Sequence, residues 1–251
     1  MSAALVPVAA AWSAVRRLAL DAVASPLTRT MYAKALDDFF AWWQGQGRPP
    51  FARAAVQAHR AWLEERGYSP STVNQRLAAI RKLAREAALN GLLAPELAAG
   101  VDQVPGPKQR GARTGNWLTR EQAQALLNLP DAGALKGKRD RAALALLIGC
   151  ALRRSEAVGL NVTDLQQREG RWVLPDLRGK HGRIRTVPVP AWVKTALDEW
   201  MAAAGITEGR ILRSMNRHGA ITGESLSAQA VHALVRAYGA RLGLKLQAHD
   251  A

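Results

Sequence analysis

The sequence predicts a mainly α protein with a small antiparallel β-sheet, built as a helical N-terminal unit and an α+β C-terminal unit. Residues 1–102 repeat apolar side chains at helical spacing between Ser-Pro turn signals. Periodicity then disappears up to Trp117, and beyond it a stretch of strict alternation near residues 171–189 lies between further helical runs. The organisation expected from these features is a helical unit over 1–102, a linker over 103–116 and a mixed unit over 117–251.

The Ala-rich opening, residues 2–14, has no basic n-region and contains Pro7. It leads into Arg16 and Arg17 on an amphipathic pattern, so it reads as a helix rather than a cleaved leader. Ser25-Pro26-Leu27-Thr28 and Ser69-Pro70-Ser71-Thr72 each set a capping Ser before a Pro suited to the first helical position. In the first of these helices Tyr32, Leu36, Phe39 and Trp43 share a face; in the second Val73, Leu77, Ile80, Ala84 and Ala87 do so. The second helix also carries Arg76, Arg81, Lys82 and Arg85, a row that reads either as a solvated face or as a DNA-contacting one. A further helix is expected over 52–66, between breaks at 45–50 and at Gly67. The linker alternates Pro and Gly with Lys108, Arg110 and Arg113. It has no acid, and suits either a flexible connection or a strand of chain along a phosphate backbone.

In the second half Thr119 and Gln122 form a capping box, and a helix is expected to about Leu129. Another is expected over 139–150, and its wholly apolar centre, residues 142–148, demands burial. Arg153 and Arg154 follow, at the start of a helix. Cations are mildly unfavourable there unless an anion such as phosphate compensates, although an exposed solvated pair has the same appearance. Arg171-Trp172-Val173-Leu174 and Ile184-Arg185-Thr186-Val187-Pro188-Val189 read as an antiparallel hairpin with Lys180 at or near its turn. Helices resume over 192–204 and 227–241.

With 35 Lys and Arg against 20 Asp and Glu, the formal charge is +15, and the pI is about 11.1. Nucleic acid is the leading partner for such a balance, although ribosomal and membrane-surface proteins can be as basic and charge alone does not choose among them; the partner expected of the whole sequence is double-stranded DNA, with no membrane and no small-molecule substrate. Cys150 is the single cysteine, which excludes an intrachain disulfide and fits a reducing, cytoplasmic and nucleoid-associated setting. Scattered histidines and acids argue against a zinc site and against a metal-dependent nuclease.

Together these motifs resemble the tyrosine recombinase (phage integrase) family over residues 25–250. The two Ser-Pro helices look like the signature helices of its SAM-like core-binding domain, and Leu118-Thr119 looks like the start of its catalytic domain. Ala151-Leu152-Arg153-Arg154-Ser155-Glu156 is similar to the first arginine box, usually Gly-Leu-Arg-x-Ser-Glu, with Asp164 near a familiar downstream Asp. Gly179-Lys180 followed by Arg185-Thr186-Val187-Pro188 looks like the hairpin lysine, and His249-Asp250 like the opening of the second box. The resemblance implies DNA strand cleavage and rejoining through a phosphotyrosyl intermediate, with neither metal nor ATP as cofactor. Arg153, Lys180 and His249 are the implied catalytic residues, and Glu156 supports the arginine box. Thr72, Arg76, Arg81, Lys82, Lys108, Arg110, Arg113 and Arg183 are the expected DNA contacts. Arg154 takes a variable position in the family pattern, and His181 has no family role.

The family pattern continues past its second His box with an Arg, a His or Trp, and the nucleophilic Tyr, whereas this sequence stops two residues after His249. Tyr32, Tyr68 and Tyr238 do not match the nucleophile, so the catalytic domain is expected to be incomplete at its end. The chain alone is expected to be incapable of strand exchange, and identical copies could not supply the missing group. The alternative function is a non-enzymatic, sequence-specific DNA-binding protein derived from an integrase. Homo-oligomerisation on DNA is expected of a complete protein, and a monomer off DNA of this one.

Overall fold

The computed structural model describes residues 9–108, 117–178 and 183–246. The chain divides into two compact units, Met1–Ala112 and Arg113–Ala251. Among the described residues no helix is long and apolar enough to cross a membrane.

The N-terminal unit contains α1 (Ala9–Asp21), α2 (Pro26–Gly45), α3 (Arg53–Glu65), α4 (Pro70–Leu89) and α5 (Pro95–Asp102). Both Ser-Pro signals act as read: the Ser25 and Ser69 hydroxyls accept from the Thr28 and Thr72 amides at 3.4 and 3.3 Å. Helix α4 is the central element and contacts each of the other four. Its buried side chains include Val73, Leu77, Ala79, Ile80, Leu83, Ala84 and Ala87, wider than one stripe because neighbours cover it on several sides. Leu36, Phe39 and Trp43 from α2 and Leu63 from α3 complete this core.

Helix α5 has no counterpart in the sequence expectations. Eight residues with a Gly in the last turn are too few to form a helix alone, and this one exists by burying Ala98 and Val101 against α4. Asp102 at its end accepts from Arg85 Nε at 2.6 Å.

The C-terminal unit opens with α6 (Arg120–Asn128), whose capping box forms in both directions: Gln122 N donates to Thr119 Oγ1 at 3.2 Å, and Thr119 N to Gln122 Oε1 at 2.9 Å. Helix α7 (Leu135–Cys150) is the core of the unit, with residues 142–147 all buried. It begins earlier than its apolar run suggests, and in its first turn Gly137 sits where the Asp131 backbone crosses and a Cβ would collide with it. After α8 (Arg154–Gly159) come β1 (Gln166–Arg168), β2 (Arg171–Arg178) and β3 (Ile184–Pro188), an antiparallel sheet in that order. Strand β1, three exposed polar residues, has no counterpart in the sequence expectations. It is joined to β2 by Glu169-Gly170, both left-handed at φ 50° and 75°, as a tight hairpin turn requires.

Helix α9 (Ala191–Ala204) packs along α7 and buries Trp200, whose Nε1 donates to the Ile211 carbonyl at 2.8 Å. A short hairpin, β4 (Ser214–Met215) with β5 (Ile221–Gly223), precedes α10 (Ala228–Arg241). Helix α10 is capped by Ser227, whose hydroxyl accepts from Ala230 N at 3.0 Å.

Candidate active site

Helix α7 ends at Ala151, which takes the left-handed conformation, φ 49° and ψ 39°, and turns the chain sharply toward α8. Leu152 is driven into the core, so the next residue, Arg153, emerges at the N-cap of α8 in extended backbone. A left-handed residue with a Cβ costs about 1 kcal/mol relative to glycine. Ala151→Gly is therefore expected to stabilise the C-terminal unit by about 1 kcal/mol, read as a higher urea midpoint at unchanged slope. An unchanged or lower midpoint contradicts the strain.

Arg153 is organised by one carboxylate. Glu156 Oε2 accepts from the Arg153 amide at 2.8 Å, and Glu156 Oε1 accepts from Arg153 Nη1 at 2.9 Å. From β3, Arg185 reaches the same carboxylate with both terminal nitrogens, Nη1 to Oε1 at 3.1 Å and Nη2 to Oε2 at 2.8 Å. The Glu156 side chain is 6% exposed, against 58% for Arg153 and 37% for Arg185. Burial pushes the Glu156 carboxyl up, but the hydrogen bonds from Arg185 and from the Arg153 backbone and side chain outweigh it, and its pKa lies below the ordinary value. One buried anion between two cations leaves a net positive cluster with an open guanidinium. Helix α8 spans only six residues, so the cationic character comes from the guanidiniums more than from a helix dipole.

Arg185 carried no role in the sequence reading, although a signal for it existed. Alternation along β3 puts Arg185 on the same face as the buried Val187, and a charge on a buried face needs a partner. Arg154, the neighbour of Arg153, makes no described contact with Glu156 and is half-buried. Asp164 closes the turn after α8 by accepting from the Asn161 amide at 2.8 Å. Lys180, His249, Arg110 and Arg113 lie outside the described residues.

The expected DNA contacts of the N-terminal unit divide sharply. Arg76 is not on an open face: it is 7% exposed, its Nη1 pairs with Asp38 Oδ2 at 2.8 Å, and its guanidinium lies 4.8 Å from the Tyr68 ring. The reason is register, since Arg76 falls three residues after Val73 and next to Leu77 on the buried side of α4. Arg81 is likewise turned to the chain and donates through Nη2 to the Val104 carbonyl. Lys82 pairs with Glu86 at 2.8 Å and is about one-third exposed. Thr72 has its hydroxyl 2.9 Å from Ser69 Oγ. Lys108 and Arg183 are exposed.

The three tyrosines are otherwise engaged. Tyr238 donates its hydroxyl to Asp140 Oδ2 at 3.0 Å, and burial together with the Asp140 charge pushes its pKa up to about 12. Tyr68 stacks under Arg76, and Tyr32 packs against the N-terminal core.

Comparison with known proteins identifies the class to which a helical unit followed by an α+β unit, with an Arg-Glu-Arg cluster joining α8 and β3, belongs. Residues 116–251 match the phage integrase family, and residues 15–91 match the phage integrase N-terminal SAM-like domain. The chain belongs to the phage integrase family, the tyrosine recombinases. It is 33% identical over 255 residues to a tyrosine recombinase of Synechococcus elongatus, covering 95% of this chain and 77% of that protein. To the tyrosine recombinase XerD of Pseudomonas aeruginosa it is 33% identical over 164 residues, covering 64% of this chain and 53% of that protein. Its fold is shared with the XerH site-specific recombinase solved on a palindromic difH substrate, with a TM-score of 0.66, 16% identity, and 96% and 70% of the two chains covered. It is also shared with a lambda integrase tetramer bound to a Holliday junction, with a TM-score of 0.67, 16% identity, and 95% and 64% covered.

Proposed function

We propose that this chain binds double-stranded DNA as a site-specific recombinase of the tyrosine type and presents Arg153 to the phosphodiester at the point of exchange. The observation that supports this most is the Arg153 guanidinium, open to solvent yet fixed through backbone and side chain by the buried Glu156. A pentavalent phosphate accumulates charge on its non-bridging oxygens, and a preorganised guanidinium fork stabilises that charge. Lys180 would protonate the departing 5′ oxygen and His249 would assist proton transfer. Thr72, Lys82, Lys108, Arg110, Arg113 and Arg183 would contact the DNA backbone. Arg76 and Arg81 would act in this reading by shaping α4 rather than by touching DNA.

None of the three tyrosines suits the nucleophile of this reaction, Tyr238 least of all, because its hydroxyl proton is committed to a buried carboxylate. The reading therefore assigns DNA binding and phosphate positioning to these 251 residues, and the attacking hydroxyl to none of Tyr32, Tyr68 and Tyr238. The test is anisotropy of a fluorescent duplex across salt concentrations. Affinity is expected to fall with a log–log slope of roughly −0.9 per phosphate neutralised. Binding that ignores salt, or no binding at low salt, overturns the reading.

A further inference from the structure

We propose that Arg185 is a positioning residue for Arg153: by saturating the Glu156 carboxylate from the opposite side, it leaves the Arg153 guanidinium open, outward and net cationic. This rests on the reading of Arg153 as the phosphate contact. The geometry divides the labour between the two arginines. Arg185 spends both terminal nitrogens on Glu156, whereas Arg153 spends only Nη1 from its side chain. A guanidinium has five N–H donors, so Arg153 keeps enough to grip two phosphate oxygens.

Without Arg185, both oxygens of Glu156 would have unfilled acceptor sites in a buried position, where an unpaired carboxylate is costly. The nearest cation is Arg153. Its guanidinium would swing into a two-point pair with Glu156, which neutralises it and consumes the donors that a phosphate needs. Arg185 thus holds Glu156 in a role that orders Arg153 without capturing it. Arg185 is the second residue of β3, the strand that follows Lys180 in sequence, so one carboxylate ties the arginine box to that strand.

This account makes a prediction that a merely structural strand anchor does not. Removing Glu156's charge should repair the loss of Arg185, because nothing is then left to capture Arg153. The experiment follows the side-chain Nε–Hε resonance of Arg153 in the 15N-labelled full chain, assigned by its loss in Arg153→Lys, during titration with inorganic phosphate. Arg185→Ala is expected to weaken phosphate binding at Arg153 about tenfold, and Arg185→Ala with Glu156→Gln to return it to within about threefold of the original. A double variant as weak as Arg185→Ala, an Arg185→Ala variant equal to the original, or an original chain whose Arg153 resonance ignores phosphate each overturns the proposal. If Arg185→Ala loses amide dispersion, Arg185→Lys takes its place. A lysine satisfies only part of Glu156, so about threefold weakening, reversed by Glu156→Gln, is expected. No weakening, or weakening that Glu156→Gln leaves in place, overturns the proposal equally. Duplex affinity is measured separately on the same samples. A chain that shows the phosphate series but no duplex binding retains the positioning role and loses the recombinase reading.

Discussion

Asp140→Ala is expected to destabilise the C-terminal unit by about 3 to 5 kcal/mol, the loss typical when one member of a buried ion pair is removed. Asp140 is fully buried in α7 and accepts from Arg139 Nη2 at 2.7 Å, Lys136 Nζ at 2.7 Å and the Tyr238 hydroxyl at 3.0 Å. Arg139 is itself only 6% exposed, so truncating Asp140 strands a cation away from water. The same change removes the Tyr238 hydrogen bond that joins α10 to α7. Urea-dependent hydrogen exchange of α7 and α10 amides measures this. Replacing the pair together, Arg139→Met with Asp140→Leu, should cost much less than Asp140→Ala alone, because no unpaired charge remains. A double replacement as damaging as Asp140→Ala would show that the pair contributes by something other than mutual neutralisation.

Acid is expected to loosen the N-terminal unit as pH falls from 6.5 toward about 4. His59 in α3 is fully buried, neither ring nitrogen has a hydrogen-bond partner, and its ring is enclosed by Phe39, Trp42 and Trp62 at centroid distances of 4.9, 4.7 and 5.5 Å. Burial above all, with the nearby Arg76 charge and against the opposing Asp38 charge, lowers its pKa from 6.5 to about 4. Above pH 6.5 the ring is neutral in folded and unfolded chains alike, and the full stability is present. As pH falls from 6.5 toward 4 the unfolded chain takes up a proton that the folded one refuses, and stability drains by about 3 kcal/mol in total. Asp38, held below its ordinary 3.8 despite burial by Lys34 and Arg76, loses its contribution only at lower pH, so the windows separate. Hydrogen exchange of α2, α3 and α4, corrected for intrinsic rates, reads the slope. His59→Leu should flatten it between pH 6.5 and 4, and an unchanged slope would assign the effect elsewhere.

These buried polar groups mark where sequence reasoning stops. Ser25, Ser69 and the Thr119–Gln122 box were legible because a cap is a local bargain between a side chain and the next turn's amides. The burial of residues 142–147 was legible because no polar face remained to meet water. Strand β1 and helix α5 were not, since neither has a pattern of its own and each is held by its neighbours, β1 by β2 and α5 by α3 and α4. Arg76 was misplaced because charge suggested solvent, while its register beside Val73 and Leu77 set it inside with Asp38 as the compensation. At the candidate site, Arg153 and Glu156 were legible from the resemblance of residues 151–156 to the family's first arginine box. Arg185 was not, because its partner lies 29 residues away and only the fold brings β3 to α8.

The central claim is that Arg153 meets a DNA phosphate, and the salt dependence of duplex binding by the full chain and by Arg153→Ala tests it most directly. Losing one phosphate contact should weaken binding across unrelated sequences and make the log–log slope shallower by about 0.9. An Arg153→Ala chain with the slope and affinity of the original would mean that this guanidinium, however well held, does not touch the backbone.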